Sequence, residues 1–509
     1  MNFSKLTKKI IVINIFAWFN MTLKTKKITN TIKNNNEFDN GKIAILISPW
    51  FGTSIPIFTI IVSLLLKHKG FTPVYFFDDI SIFDRRDKYT LFFLKNIVNF
   101  LQKKNKVIFV SKLKDSKLKN NQEIEFSKLI DQNSIWYSRG EQNKKLLKKN
   151  QRLIKSQFSS LQMKLNFLKD NFCNSNFKFA FIPGGAWGCS GLWMRFFKSE
   201  NIRVSTFDSG GYKTTMLCSN GIACKLQDIS IAHKMILDES SDDELKFIIE
   251  SSKNEMNMRA KGKDKFHSQI QGIQVEDYSF ANESILIPLN SSWDGAALGI
   301  HEIFENNNDW LISTIDYLIK NTNKKIIIRQ HPAERLDIAR TSDNYKGYLF
   351  NHFQDHERVI FISAQDKVNS YELLKKCSFV VVASTTFGIE AATKGKIVLT
   401  AANCYLNSFN FIVSCNNKDQ YFKKLKEFSN SKINKIEQKA IDEAYICFFL
   451  TQICNWVFAD IYPENVNSWI NSFDIHNILD DKNTSNLIDS IIYDIPVSYL
   501  NYKTIYKNV

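Results

Sequence analysis

Lys324-Lys325-Ile326-Ile327-Ile328-Arg329-Gln330-His331-Pro332 opens, and Phe379-Val380-Val381-Val382-Ala383-Ser384-Thr385-Thr386-Phe387-Gly388 nears the close of, the stretch whose reading decides the fold. Each segment starts as a short β-branched run, which predicts a buried strand, and ends in polar residues. His331 and Pro332 follow the first strand. Ser384, Thr385 and Thr386 follow the second and lead into a helical stretch, Ile389 to Lys394. A hydroxyl-rich turn between a strand end and a helix start is where open α/β sheets bind phosphates.

The same rhythm extends on both sides. Val359–Ile362 and Ile397–Thr400 read as further strands, and Ser370–Lys376 as a short helix. A second sheet therefore starts at Ser284–Leu289, whose loop holds Trp293-Asp294-Gly295, and Trp310–Lys320 is its first helix. Upstream, Lys42–Ile47, Phe71–Phe77, Phe177–Ile182 and Ile202–Phe207 are strands of another sheet, with Ile55–Lys69 as a helix between the first two. Pro183-Gly184-Gly185 and Asp208-Ser209-Gly210-Gly211 end two of these strands, and glycines there let a ligand or a second backbone come close. Asp208 reads first as a carboxylate that caps a helix or holds its turn, and second as a base or nucleophile. The fold expected is α/β of the GT-B kind, two Rossmann-like domains facing an interdomain cleft, with C-terminal helices. The boundaries expected are 1–40 for a basic and apolar N-terminal segment, 41–275 for an acceptor domain, 276–415 for a nucleotide-sugar domain, and 416–509 for helices and a tail. Residues 238–272 suit a surface helix or a connection, and the last fifty residues read as an irregular, polar tail that packs back on the first domain.

A chain of 509 residues is long for one core, and 44% hydrophobic with 13% aromatic content is globular. The formal charge of +16 fits attraction to acidic glycans, nucleotides or membrane lipids, and equally a plain bias toward Lys. No clustered Arg face, zinc-finger spacing or RNP-like motif points to nucleic acid. Nine cysteines without a C-x-x-C pair read as buried thiols of a cytoplasmic protein. At the start, Lys5, Lys8, Lys9, Lys24, Lys26 and Lys27 flank the apolar run Ile10–Met21, and no acidic residue precedes Glu37. The run is too short to span a bilayer and lacks a signal-peptide cleavage site, so it reads as an amphipathic segment on the inner membrane face, or as an ordinary packed helix. His352 and His356 are four apart with no third ligand nearby, and no G-x-S-x-G, G-x-G-x-x-G or Walker A sequence occurs. No metal and no cofactor are expected. What remains is Arg329, His331 and the Ser384–Thr386 hydroxyls, a set suited to a phosphate leaving group.

The layout R-Q-H-P followed by S-Y-E-L-L-K-K-C-S-F-V-V-V-A-S-T-T-F-G-I-E-A-A-T-K-G-K resembles the carboxyl-terminal half of bacterial capsule and surface polysaccharide glycosyltransferases of the GT-B type, among them Kdo-transferase and sialyltransferase-like enzymes. The resemblance covers residues 284–405, and more loosely 183–228. It implies transfer from a nucleotide-activated sugar, CMP-Kdo in particular, to a glycan or lipid-linked acceptor without metal. It implies phosphate contacts from His331, Ser384 and Thr385, alongside Arg329, Pro332 and Thr386, and a ribose contact from Glu390. The acidic motif of the sialyltransferases is missing in its usual form, which leaves the catalytic carboxylate open between Asp208 and Asp294. A CDP-alditol phosphotransferase of the teichoic-acid type, or a non-catalytic nucleotide-binding scaffold of a polysaccharide-assembly complex, are the alternatives. Polysaccharide export machinery is a further expected partner.

Overall fold

The structure is a computed structural model that describes residues 3–32, 39–50, 52–83, 85–117, 126–172, 176–263, 277–337, 339–431 and 435–507. The expected domain boundary at 275/276 and the latter part of the expected 238–272 helix lie outside these residues, as do Phe51 of the loop after the first strand and the side chains of residues 1–14. The chain forms two compact units. Unit 1 takes Met1–Leu129, Arg152–Asp228 and Cys454–Val509; unit 2 takes Ile130–Gln151 and Ile229–Ile453.

Unit 1 is built on six strands, β1 (Lys42–Ile47), β2 (Thr72–Phe77), β3 (Lys106–Phe109), β4 (Phe177–Pro183), β5 (Val204–Gly211) and β6 (Thr214–Cys218), in the order β3-β2-β1-β4-β5-β6. All neighbours are parallel except β5 and β6, whose register sets Asp208 opposite Met216. Helix α2 (Ile55–His68) is apolar almost all round, with Pro56 in its first turn, and it is buried accordingly. Helix α1 (Phe3–Thr31) lays Trp18, Met21, Ile28 and Ile32 into the same core, where the hydroxyls of Thr22, Thr25 and Thr29 donate to carbonyls one turn back. Helix α3 (Arg85–Leu101) runs beside it. No helix among the described residues is long and apolar enough to cross a membrane.

The last fifty residues correct the reading of an irregular tail. Helices Ile475–Asp480, Lys482–Tyr493 and Val497–Lys507 succeed one another, and Leu487, Ile488, Ile491 and Val497 enter the unit 1 core. Asp481 caps the second of these, accepting from Asn483 and Thr484 amides. Frequent Asn and Asp hide short helices whose start signals are those same residues. Strands β3 and β6 were likewise not expected: each is short, β3 sits just after a Lys-rich stretch, and β6 opens on two threonines.

Unit 2 repeats the plan with β7 (Ile285–Pro288), β8 (Ile326–Arg329), β9 (Val359–Ile362), β10 (Phe379–Val382), β11 (Val398–Thr400) and β12 (Val413–Ser414), all parallel, in the order β12-β11-β10-β7-β8-β9. Both sheets are thus wound outward from a central pair, β1/β4 and β7/β10, where the direction of winding reverses. In unit 2 helix α4 (Asp242–Ala260) starts with a full capping box, Ser241 and Glu244 bonding each other's backbone amides. It packs with α5 (Phe387–Thr393) and α6 (Gln438–Phe449), and α6 passes into a π-helical turn, Leu450–Cys454.

Candidate functional site

The reversal point of a doubly wound sheet is where its strand ends part and leave a crevice. In unit 2 that point lies between β7 and β10. Asn290, just past β7, accepts a hydrogen bond from the Ser384 amide at 3.3 Å, so the two strand ends are tied together. Beside this tie is a hollow of about 60 Å³, on the scale of a phosphate group, lined by Arg259, Arg329, His331, Thr385, Thr386 and Glu390 among others.

Each of these side chains is placed by its element. His331 stands at the start of a short 3₁₀ turn, where its Nδ1 accepts from the Ala333 amide at 3.2 Å. That bond leaves the ring proton on Nε2, making the outer nitrogen a donor. Pro332 fixes the backbone of the same turn. Thr385 and Thr386 form the turn into α5, and the Thr385 hydroxyl accepts from the Phe387 amide at 3.3 Å. Gly388 lets α5 lie close on the sheet, since a Cβ there would stand 3.3 Å from Val398 and 3.4 Å from Val382. Helix α5 has seven residues. So short a helix has little dipole, and the anion preference of this corner rests on side chains and turn amides.

Arg329 ends β8 and is almost wholly buried. Its guanidinium donates to the carbonyls of Ser363 and Val368 and to the Ser370 hydroxyl, the Val368 bond at 3.1 Å. Three of its five N–H groups are thereby spent on holding the loop after β9. Burial pulls its pKa down to about 10, with Asp366 the largest opposing charge. Arg329 therefore shapes the wall of the hollow and adds positive charge to it.

Arg259, at the end of α4, is the residue the sequence did not disclose. It is 1% exposed and pairs with Glu390 at 3.3 Å, with Glu255 at 3.2 Å and with Gln452 of the π-helical turn at 2.8 Å. The Phe448 ring lies 5.2 Å from it. Burial opposes its charge, but Glu390, Tyr371 and Glu255 together outweigh that and raise its pKa. No motif marks it; α4 reads as an ordinary charged helix, and its partners Glu390 and Gln452 are more than a hundred residues away. Glu390, expected at a ribose, is in this structure first of all the partner of Arg259. Of the charged side chains that line the hollow, two are guanidinium groups and one is a carboxylate, with Glu255 behind Arg259 offsetting part of that excess.

Within unit 2, Ser384 and Asp294 do not line this hollow. Ser384 is buried beneath the turn, its amide engaged by Asn290. Asp294 is half-buried in the loop after β7, where its carbonyl accepts from Ala297, and it does not line the hollow. Asp208 belongs to unit 1 and lies within β5, opposite Met216, since the strand runs on past the expected end at Phe207. Its carboxyl is enclosed, Oδ2 lacks a hydrogen-bond partner among the described residues, and desolvation pushes its pKa up to about 7 despite hydrogen bonds from Cys224. Also in unit 1, Gly184 follows β4 with φ of +67° and packs beneath Trp50, whose ring a Cβ would approach to 2.9 Å. Only glycine fits there without strain.

No curated protein matches the chain. Among solved structures it is similar to the KpsC β-Kdo 2,4-transferase of Thermosulfurimonas dismutans, with 13% identity over 54% of this chain and 79% of that one and a TM-score of 0.36. The 2,7-transferase of the same organism shows 15% identity over 61% and 88%, with a TM-score of 0.34. The UDP-GlcNAc 2-epimerase of Methanocaldococcus jannaschii shows 13% over 79% and 97%, with a TM-score of 0.28. Likenesses this weak say nothing about activity. Residues 249–409, just under a third of the chain, match the family model described as capsule polysaccharide biosynthesis protein, and that segment contains every residue that lines the hollow.

Proposed function

We propose that this chain is a glycosyltransferase of capsule or surface polysaccharide synthesis, taking its sugar from a CMP-activated donor such as CMP-Kdo and passing it to a glycan or lipid-linked acceptor at the inner face of the cytoplasmic membrane. The observation that carries the reading is the convergence, at the reversal point of the unit 2 sheet and within the family-matched segment, of His331, Thr385, Thr386 and two buried arginines around a phosphate-sized hollow.

The chemistry comes from that set. Breaking the bond between sugar and phosphate leaves negative charge on the departing nucleotide, and donors fixed in advance stabilise that charge more than they stabilise the ground state. His331 supplies an Nε2–H held in place by its Nδ1 bond, and the threonines supply O–H groups. Arg259 is restrained by Glu390, so the positive charge is positioned without being mobile. The acceptor hydroxyl needs a base, and Asp208, with a carboxyl poised at about 7, is the residue we assign to it. Asp294, whose side chain does not line the hollow, is assigned to shaping the strand end.

Two measurements test this. A thermal-shift series with CMP, CDP, UDP and GDP reads donor class: saturation a hundredfold above Kd stabilises by about 2.7 kcal/mol, and cytidine nucleotides are expected to give the largest shift. Incubation with CMP-Kdo and an acceptor is expected to release CMP, and His331→Ala to slow release by about 10²-fold or more. CMP released from CDP-glycerol and not from CMP-Kdo would reassign the reaction to phosphotransfer. No nucleotide shift at all would sink the reading.

A further inference from the structure

Helix α1 is buried along one side and carries large apolar groups on another. Phe16, Phe19 and Leu23 recur at helical spacing, hence on one face, and are 71%, 57% and 52% exposed. Helix α3 lies alongside. Trp18 stacks on Phe93 with ring centroids 5.8 Å apart, Lys26 stands 6.0 Å over the Phe100 ring, and Lys104 donates to Asn30 at 2.9 Å. These contacts advance together along both helices, so α1 and α3 run parallel and in step. Tyr89 and Phe92 of α3, 50% and 65% exposed, therefore stand level with the Phe16 turn of α1. Single exposed apolar residues are ordinary, but five large ones on two adjoining helices form a patch.

The charge around the patch has one sign. Residues 15–32 contain Lys24, Lys26 and Lys27 and no Asp or Glu. Residues 85–107 contain seven Lys or Arg against one carboxylate, and that one, Asp87, is buried and accepts from the Phe83 amide. Next to the stripe a recess of about 700 Å³ is lined by Lys24, Lys27, His68, Phe473 and His476; its acidic residue, Asp474, is engaged in capping the following helix. Aromatic and aliphatic groups ringed by lysines match the boundary of a bilayer, where rings bury among headgroups and cations meet lipid phosphates.

We infer that the α1–α3 face of unit 1 docks on an anionic lipid bilayer, with Phe16, Phe19, Leu23, Tyr89 and Phe92 entering the headgroup boundary and the surrounding lysines holding lipid phosphates. The inference rests on the proposed function in that a membrane acceptor requires access to the bilayer, but its test needs no nucleotide.

Co-sedimentation of the full chain with vesicles decides it. Binding is expected to vesicles containing phosphatidylglycerol, not to pure phosphatidylcholine, and to weaken as salt rises. The triple substitution Phe16→Ser, Phe19→Ser, Phe92→Ser is expected to weaken partitioning at least tenfold with the melting temperature unchanged, since all three side chains are exposed. A control triple of other exposed apolar residues, Leu153→Ser, Ile231→Ser, Leu237→Ser, is expected to bind as the parent does. Absence of binding to the anionic vesicles, or equal binding by the first triple, overturns the inference. So does a wild-type dimer that the first triple turns into a monomer while vesicles are ignored, because the face would then cover a second copy. A nucleotide shift that persists in the first triple keeps a failure here distinct from a failure of the proposed function.

Discussion

At the scale of single residues, Asp208 is held at odds with its surroundings. An enclosed carboxyl with a pKa near 7 is mostly ionised only above that pH, and the fold resists its charge. Asp208→Asn is therefore expected to leave the melting temperature at pH 8 equal or higher while lowering transfer by about 10²–10⁴-fold, measured by CMP release and thermal scanning together. Loss of stability instead of activity would make it a structural carboxylate. Arg259 and Glu390 behave in the opposite sense. Removing one member of a buried pair leaves the other uncompensated, so Arg259→Ala is expected to cost about 3–5 kcal/mol in denaturant unfolding of unit 2, while the double change Arg259→Met, Glu390→Gln costs much less. The nucleotide shift of the double variant then reports what the charge does for binding, separately from what it does for the fold.

At the scale of elements, the loop Ser138–Glu141 is fastened to unit 2 by carboxylates. Asp343 accepts from the amides of Glu141 and Gln142, and Glu141 accepts from the Asn308 amide at the start of helix Asn307–Asn321, while Arg139 lies 3.5 Å from the Trp293 ring. Burial, and then the charge of Asp343, push Glu141 up to about 7; burial likewise pushes Glu334 up to about 7. Both are raised above the usual value of 4.5, so the folded state holds protons that the unfolded chain has released. Their stabilisation is complete below pH 4.5 and is lost as pH rises through about 7. Unfolding of unit 2 is expected to become easier across that window, by on the order of 1–3 kcal/mol, and Glu141→Gln with Glu334→Gln to flatten the slope. An unchanged slope would locate the titration elsewhere. Elements of this kind show how far the sequence could be read. Strands β1, β7, β8 and β10 were legible because a parallel strand buried on both faces is an unbroken apolar run, and β9, half-buried at the sheet edge, is such a run too. So were His331 and the Ser384–Thr386 turn, because they come directly after such runs. Arg259 and the Ser138–Glu141 loop were not, since their meaning lies in partners far along the chain, and local pattern carries no record of those.

At the scale of the whole molecule, the chain leaves unit 1 and returns to it at Cys454. Residues Leu487, Ile488 and Ile491 are fully buried there, and Arg203 donates to the Ile491 carbonyl at 2.6 Å, so the last segment completes the unit 1 core. Deleting 454–509 exposes that core, and the truncated chain is expected to lose cooperative unfolding of unit 1 and to aggregate, as read by scanning calorimetry and light scattering. Soluble, cooperatively unfolding protein after such a deletion would show that the sheet and α1–α3 suffice alone. The order in which the residues are made then matters. A ribosome adding roughly 5–20 residues per second delivers β1 to β5 early but the closing helices last, so the nascent unit 1 waits, open and with apolar surface uncovered, while all of unit 2 is synthesised. Unit 2, contiguous apart from one short insertion from upstream, can finish first. The chain is therefore expected to mature from its middle outward, with unit 1 closing only after unit 2 has been made.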